Sequence, residues 1–203
     1  FSAGQKVKSY AAFAETYWKV TPTTRITIGG RYTHEEKDFH VSKPSVPLAE
    51  GGPYSCPDPT SAYAPCANPV LKFNRFTPRV SIDQELAEHI MVYGSWSRGF
   101  RSGGWNGRPG STPDTIGPYQ PEKVDSYELG FRSKFWDNKA IFNVTVFQTE
   151  YSNKQEDQIR SNPVLPTSTV TFVQNAGKAR FKGLELEAQT RPIPELHFFG
   201  SAG

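Results

Sequence analysis

The chain has 203 residues and a formal net charge of +3, too small a balance to argue by itself for nucleic acid or an anionic surface. Only 36 % of it is hydrophobic, against about 45–50 % in ordinary soluble domains, yet aromatics reach 13 % and the mean hydropathy is −0.58. A disordered chain is poor in Tyr, Phe and Trp, so this mixture excludes general disorder and requires polarity that is patterned along the chain.

With 17 Gly and 17 Pro the sequence is hostile to long helices. No run of about 18 apolar residues is present to make a transmembrane helix. What recurs instead is alternation with a period of two, the mark of strands with one apolar face. In TRITIGGRYTHE, Ile26, Ile28, Gly30 and Tyr32 oppose Arg25, Thr27, Arg31 and Thr33. The segment 24–38 is long enough for a tilted, membrane-spanning strand. Phe76, Pro78, Val80 and Ile82 then oppose Thr77, Arg79, Ser81 and Asp83. HIMVYGSW at 89–96 has apolar residues on both faces and its orientation stays open. In SYELGFRSKF, Tyr127, Leu129, Phe131 and Phe135 share a face with Ser133, while Ser126, Glu128, Gly130, Arg132 and Lys134 share the other. Between 140 and 146, Phe142, Val144 and Val146 oppose Asn143 and Thr145, and the pattern slips near Phe147, which predicts a bulge there. In FKGLELEAQ, Leu184, Leu186 and Ala188 oppose Glu185, Glu187 and Gln189.

The connections alternate in length. TPTT at 21–24, ELAEH at 85–89, WDNK at 136–139 and RPIPE at 191–195 are tight turns, and between them lie long, irregular segments at 39–72, 102–121 and 153–168. Loops beyond about 12–15 residues are uncommon in compact soluble domains. An outer-membrane barrel supplies a reason for them, since its turns are short on the periplasmic side and long outside the cell. Its second face borders a polar lumen, which reconciles low mean hydropathy with a membrane protein. A soluble antiparallel sandwich also alternates, because one face of each sheet packs on the core.

Four segments in order carry a more specific signal: YGSWSRGFRSGGWN at 93–106, PEKVDSYELGFRSKFWDNK at 121–139, FNVTVFQTEYSNKQ at 142–155 and NAGKARFKGLELEAQ at 175–189. Together they resemble the C-terminal barrel half of TonB-dependent outer-membrane receptors, and AAFAETYWKVTPTTRITIGGRYTHEEKDF upstream resembles the paired strands ahead of a large external loop in that family. The resemblance implies an all-β fold: an antiparallel transmembrane β-barrel, here about eight strands of a barrel that has about 22 in the family, with short periplasmic turns and long extracellular loops. Residues 1–203 are then a partial receptor barrel domain, with the plug domain and the TonB box absent from the chain. The implied place is the outer membrane of a Gram-negative cell, with outer-membrane lipid around the barrel. The implied activity is uptake of a scarce, bulky ligand, such as a ferric siderophore, cobalamin or a glycan, powered by the TonB complex acting through the absent N-terminal region. A passive porin and a soluble glycan-binding sandwich are the rival readings.

Individual residues fit that frame. Gly99, Gly103 and Gly104 would let a strand leave the membrane and bend into a loop, through positive φ or close backbone approach. Arg98 and Arg101 would face the lumen or mouth, meeting an anionic ligand or a barrel carboxylate such as Glu128, and a wall ion pair is the plainer of the two readings. With Trp105 and Asn106 they are the candidate ligand contacts. Glu128, Arg132, Glu185 and Glu187 read as lumen wall, since their strand periodicity is that of solvated charge rather than of catalytic carboxylates. Tyr32, Tyr127, Phe131, Phe135 and Trp136 read as lipid or girdle contacts. Cys56 and Cys66, the two cysteines of the chain, enclose PDPTSAYAP and predict a disulfide. A zinc site would want further thiols or imidazoles nearby, and His34, His40, His89 and His197 are scattered. No cofactor is called for. Ser95 stands where the first glycine of G-x-S-x-G would be, no phosphate-binding glycine loop occurs, and nothing argues for an enzyme. The RGG-like pattern occurs once, flanked by strands, which argues against a nucleic-acid partner.

Overall fold

The structure is a computed structural model, and it describes residues 2–42, 70–106, 118–161 and 167–203. In chain order the strands are β1 (Ser2–Lys19), β2 (Thr24–Ser42), β3 (Val70–Ala87), β4 (Ile90–Arg101), β5 (Gly104–Trp105), β6 (Pro118–Tyr119), β7 (Glu122–Phe135), β8 (Ala140–Ser152), β9 (Gln155–Ser161), β10 (Thr169–Asn175), β11 (Lys178–Ile193) and β12 (Leu196–Ala202). Eight of them form one sheet in the order β1-β2-β3-β4-β7-β8-β11-β12, antiparallel throughout, while β5/β6 and β9/β10 are separate hairpins. Each strand of the sheet therefore lies beside its predecessor in sequence, once the hairpins are set aside. This is an up-and-down meander, open at β1 and β12.

The alternation of the sequence becomes rows across the sheet. Trp18, Ile26, Ile82, Gly94, Leu129, Val146 and Leu184 are aligned through seven strands on one face. One residue out of step, Tyr17, Thr27, Ser81, Ser95, Glu128, Phe147 and Gly183 are aligned on the other. The apolar row is open: Leu129 is 68 % exposed, Val146 51 % and Leu184 48 %. Among the described residues only Phe39, Phe73, Trp105, Ala140 and Val170 are buried hydrophobics. A sandwich would bury such rows against a second sheet. This sheet has no such partner among the described residues, so its apolar face requires an apolar solvent.

Orientation of HIMVYGSW is settled by register. Val92, Gly94 and Trp96 pair with Phe131, Leu129 and Tyr127 on the apolar face, and Tyr93 pairs with Gly130 on the polar face. The Tyr93 ring fills the space over Gly130, where an added Cβ would come within 2.0 Å of it. The expected bulge at Phe147 is absent. Phe147 stays in register with Glu128 and Gly183 on the polar face, and its ring lies 2.4 Å from where a Gly183 Cβ would be. An aromatic ring on the polar side had disguised an unbroken alternation. Register shifts occur instead at Glu85/Ala87 and Thr190/Ile193, beside short turns.

Those turns cluster at one end of the sheet. The turn at 20–23, the pair Glu88 and His89, the turn at 136–139 and the pair Pro194 and Glu195 follow β1, β3, β7 and β11. They are linked side by side through Glu85 N to Thr23 O, Lys134 N to His89 O and Arg191 N to Lys139 O, at 2.7–3.0 Å. His89, Trp136, Asp137 and Asn138 have φ of 53–66°, the left-handed conformation that lets the chain reverse in so few residues. The connections at the opposite end are long. The segment 153–168, expected to be irregular, instead carries β9, and β10 continues it to Asn175, paired from Gln155↔Asn175 to Ser161↔Thr169. With Ile159 as its one apolar residue, QEDQIRS gave no strand signal.

Candidate functional site at the long-connection end

On the polar face of β2, near this end, the Lys37 side chain is only 12 % exposed and ion-paired with Glu35 at 3.1 Å. Its ammonium also donates to Ser102 Oγ and to the Gly103 carbonyl, both at 2.7 Å. The chain leaving β4 is thereby drawn back over the polar face. Trp105 stacks on Phe39 with ring centroids 6.1 Å apart and planes at 21°. A Cβ on Gly103 would lie 2.2 Å from the Tyr119 carbonyl and 2.9 Å from the Phe73 ring, so only glycine permits this approach. Gly99 faces open space, and neither it nor Gly103 nor Gly104 uses positive φ.

The two hairpins lock into each other. Asn106 Nδ2 donates to the Val173 carbonyl at 2.8 Å while its Oδ1 accepts from Val173 N at 2.6 Å. Gln120 N donates to Asn175 Oδ1 at 2.7 Å, and Asn175 Nδ2 donates to the Gln120 and Asn153 carbonyls at 2.9 and 2.8 Å. Gln155 is buried at the junction. Its backbone N–H donates to Glu122 Oε2 at 2.6 Å, and its amide donates to the Ser102 and Gln120 carbonyls at 3.1 and 3.0 Å. Beside it, the hydrogen bond to Glu156 holds the Lys154 ammonium above the usual lysine pKa. Buried, satisfied polar groups of this kind fix one arrangement, because leaving any of them unpaired is costly.

The residues singled out from sequence are dispersed along the sheet, with Arg98, Arg101, Trp105 and Asn106 toward this end and Arg132 and Glu187 toward the short turns. Arg98 does not meet Glu128: it lies in register with Asp125, 2.7 Å away, on the opposite face, with its guanidinium 5.4 Å from the Trp96 ring centre. Strand parity decides this, since Arg98 shares a face with Trp96 and Glu128 shares one with Ser95. Arg101 ends β4 on the polar face, exposed, in register with Glu122. Trp105 and Asn106 are both buried, engaged with Phe39 and Val173. Glu128, Arg132, Glu185 and Glu187 all lie on the polar face. Glu187 accepts from Asn143 at 3.0 Å and from Gln189 at 2.6 Å, and Arg132 lies 5.0 Å over the Tyr93 ring. Cys56 and Cys66 lie outside the described residues. No group of three or more His, Cys, Asp or Glu that could hold a metal ion occurs among the described residues. Nothing in the sequence marks Lys37, whereas Gln155 and Asn175 close and open two of the segments that carry the family resemblance, FNVTVFQTEYSNKQ and NAGKARFKGLELEAQ, with no role attached to either.

A single sheet with one open apolar face, one polar face, tight turns at one end and interlocked connections at the other is a section of a transmembrane β-barrel. The whole chain, residues 1–203, matches the TonB dependent receptor-like, beta-barrel family, and it belongs to that family. It is part of a Gram-negative outer-membrane protein. Over 189 residues it is 26 % identical to the pesticin receptor of Yersinia pestis, covering 92 % of this chain and 24 % of that one. The crystal structure of the ferric yersiniabactin uptake receptor of Yersinia pestis superposes with a TM-score of 0.66 at 23 % identity, covering 95 % of this chain and 25 % of that one. A copper transporter, OprC, superposes with a TM-score of 0.68 at 16 % identity, covering 93 % and 27 %. The chain thus spans about a quarter of the length of these relatives.

Proposed function

We propose that this chain forms part of the barrel of an active-transport receptor that binds a ferric siderophore or comparably bulky ligand outside the cell and imports it with energy supplied through TonB. The observation that carries the reading is the pair of interlocked hairpins, β5/β6 and β9/β10, anchored by Lys37 over the polar face at the long-connection end. A barrel that engages one class of ligand at its mouth has a use for such a preformed floor. The names of relatives support the ligand class: a ferric yersiniabactin uptake receptor and a ferric-pyoverdine 358 receptor. In this reading the plug domain and TonB box belong to the remainder of the protein, outside residues 1–203. Glu128, Arg132, Glu185 and Glu187 line the lumen. Arg101, exposed on the polar face, is the side chain best placed to meet an anionic ligand directly, whereas Trp105 and Asn106 shape the mouth through the loops they hold. Arg98 belongs to the lipid-facing side.

The test is iron-limited growth of cells expressing the full-length receptor, supplied with a panel of ferric siderophores, with and without a functional TonB system. Growth on at least one complex that requires both receptor and TonB supports the proposal. Uptake of small solutes that is indifferent to TonB would instead mark a passive pore.

A further inference from the structure

On the apolar face, the rows nearest the long connections change character. Trp96, Tyr127, Gln148 and Lys182 are aligned across β4, β7, β8 and β11, and the next row is Arg98, Asp125, Glu150 and Arg180. One row further, Lys123 and Lys178 flank Ser152. Arg98, Lys123, Lys178, Arg180 and Lys182 stand against Asp125 and Glu150, five cations to two carboxylates. The carboxylates lie deeper than their partners. The Asp125 side chain is 9 % exposed, against 36 % for Arg98 and 43 % for Lys123, its partners at 2.7 and 3.0 Å. Glu150 is 34 % exposed, against 62 % for Arg180 at 3.0 Å. Lys178 and Lys182 are exposed as well. The surface presented outward is therefore positive.

Position makes this charge informative. At the same height on the polar face the rows are Ser97, Ser126, Thr149 and Phe181, then Gly99, Val124, Tyr151 and Ala179, with no charge among them. At the short-turn end of the apolar face the rows are Ile90, Ser133, Phe142 and Ala188, then Phe135, Ala140 and Thr190, again uncharged. Across these strands the outward cations thus occupy one end only, directly beyond Trp96 and Tyr127, whose rings suit the interface between hydrocarbon and headgroups. Cations on the lipid side cannot meet a ligand passing through the lumen. Resting on the reading of the chain as an outer-membrane barrel, we propose that Lys178, Arg180 and Lys182 of β11, with Lys123 of β7, form a binding site for phosphate-bearing lipid headgroups in the leaflet at the long-connection end. Asp125 and Glu150 orient the cations from below, and the long aliphatic stems lie along the apolar surface while their charged ends reach the phosphates.

The experiment reconstitutes the full-length receptor in phosphatidylcholine vesicles and compares quenching of its tryptophan fluorescence by brominated phosphatidic acid and by brominated phosphatidylcholine. The wild type should prefer the phosphomonoester lipid by about fivefold, a preference that declines as salt is raised. The triple variant Lys178→Gln, Arg180→Gln, Lys182→Gln should lose most of it, while Lys178→Arg with Lys182→Arg keeps it. A triple variant that retains heat-modifiable mobility and the wild-type preference would overturn the site. A wild type that never becomes heat-modifiable in vesicles would overturn the barrel reading, and this site with it.

Discussion

Lys37 on β2 and Gly103 at the exit of β4 are joined by a hydrogen bond of 2.7 Å from ammonium to backbone carbonyl. That contact decides where the glycine-rich stretch goes. A loop leaving a barrel strand can splay outward or fold over the lumen, and a nearly buried cation satisfied by Glu35, Ser102 and Gly103 selects the second course.

Lys37→Met keeps most of the length of the side chain and removes its charge, leaving the Glu35 carboxylate without its ion-pair partner and the Ser102 hydroxyl and Gly103 carbonyl without their donor. The expected cost is about 1–3 kcal/mol, confined to the loop. Amide hydrogen exchange at residues 102–106 and 118–122 should accelerate while the strands of the sheet keep their protection. Unchanged exchange there would show that the loop is held by other contacts.

Gly103→Ala and Gly99→Ala form a matched pair. At Gly103 the new methyl would overlap the Tyr119 carbonyl at 2.2 Å, whereas at Gly99 nothing lies within 4 Å. Gly103→Ala should therefore separate β5 from β6 and make the loop sensitive to protease, and Gly99→Ala should behave as the wild type. Equal protease resistance of the two variants would contradict the packing.

The opposed rows can be tested at neighbouring positions. Leu129→Arg places a charge on the lipid face and should cost about 2–4 kcal/mol if the row lies near the bilayer midplane. Glu128→Gln, on the polar face, should cost much less. Urea titration of the full-length receptor folded into vesicles measures both, and a similar cost for the two would mean that neither face meets hydrocarbon.

The alternation of β2, β3, β7 and β11, the short turns and the sidedness were legible from period and punctuation alone. Two stretches were not, for one physical reason. Tyr93 and Phe147 are aromatics on the polar face, each covering a glycine on the neighbouring strand, Gly130 and Gly183. A linear pattern shows a ring where a polar residue belongs but cannot show the glycine across the ladder that makes room for it. The site was less legible still. Asn106 stands out in the sequence only by its place in the glycine-rich stretch, and its hydrogen bonds to Val173 depend on a hairpin whose strand QEDQIRS carries almost no apolar signal. The stretch around Arg98 has no readable parity in the sequence, and only register with Asp125 puts Arg98 on the apolar face instead of the lumen.

Cys56 and Cys66 should be joined when the protein is made in its native envelope, since they are the chain's two cysteines and enclose a short, proline-rich loop. Thiol labelling under denaturing, non-reducing conditions should find neither residue free. Quantitative labelling of both would end the expectation.

The most direct measurement of the barrel orientation is surface access on intact cells expressing the full-length receptor. An epitope inserted within 43–69, and another within 107–117, should each be reached by antibody without permeabilisation, while one in the turn at 136–139 should be reached only after the outer membrane is opened. Antibody binding to the 136–139 epitope on intact cells, with the other two silent, would invert the barrel in the membrane and contradict the placement of the hairpin floor at the ligand's point of entry.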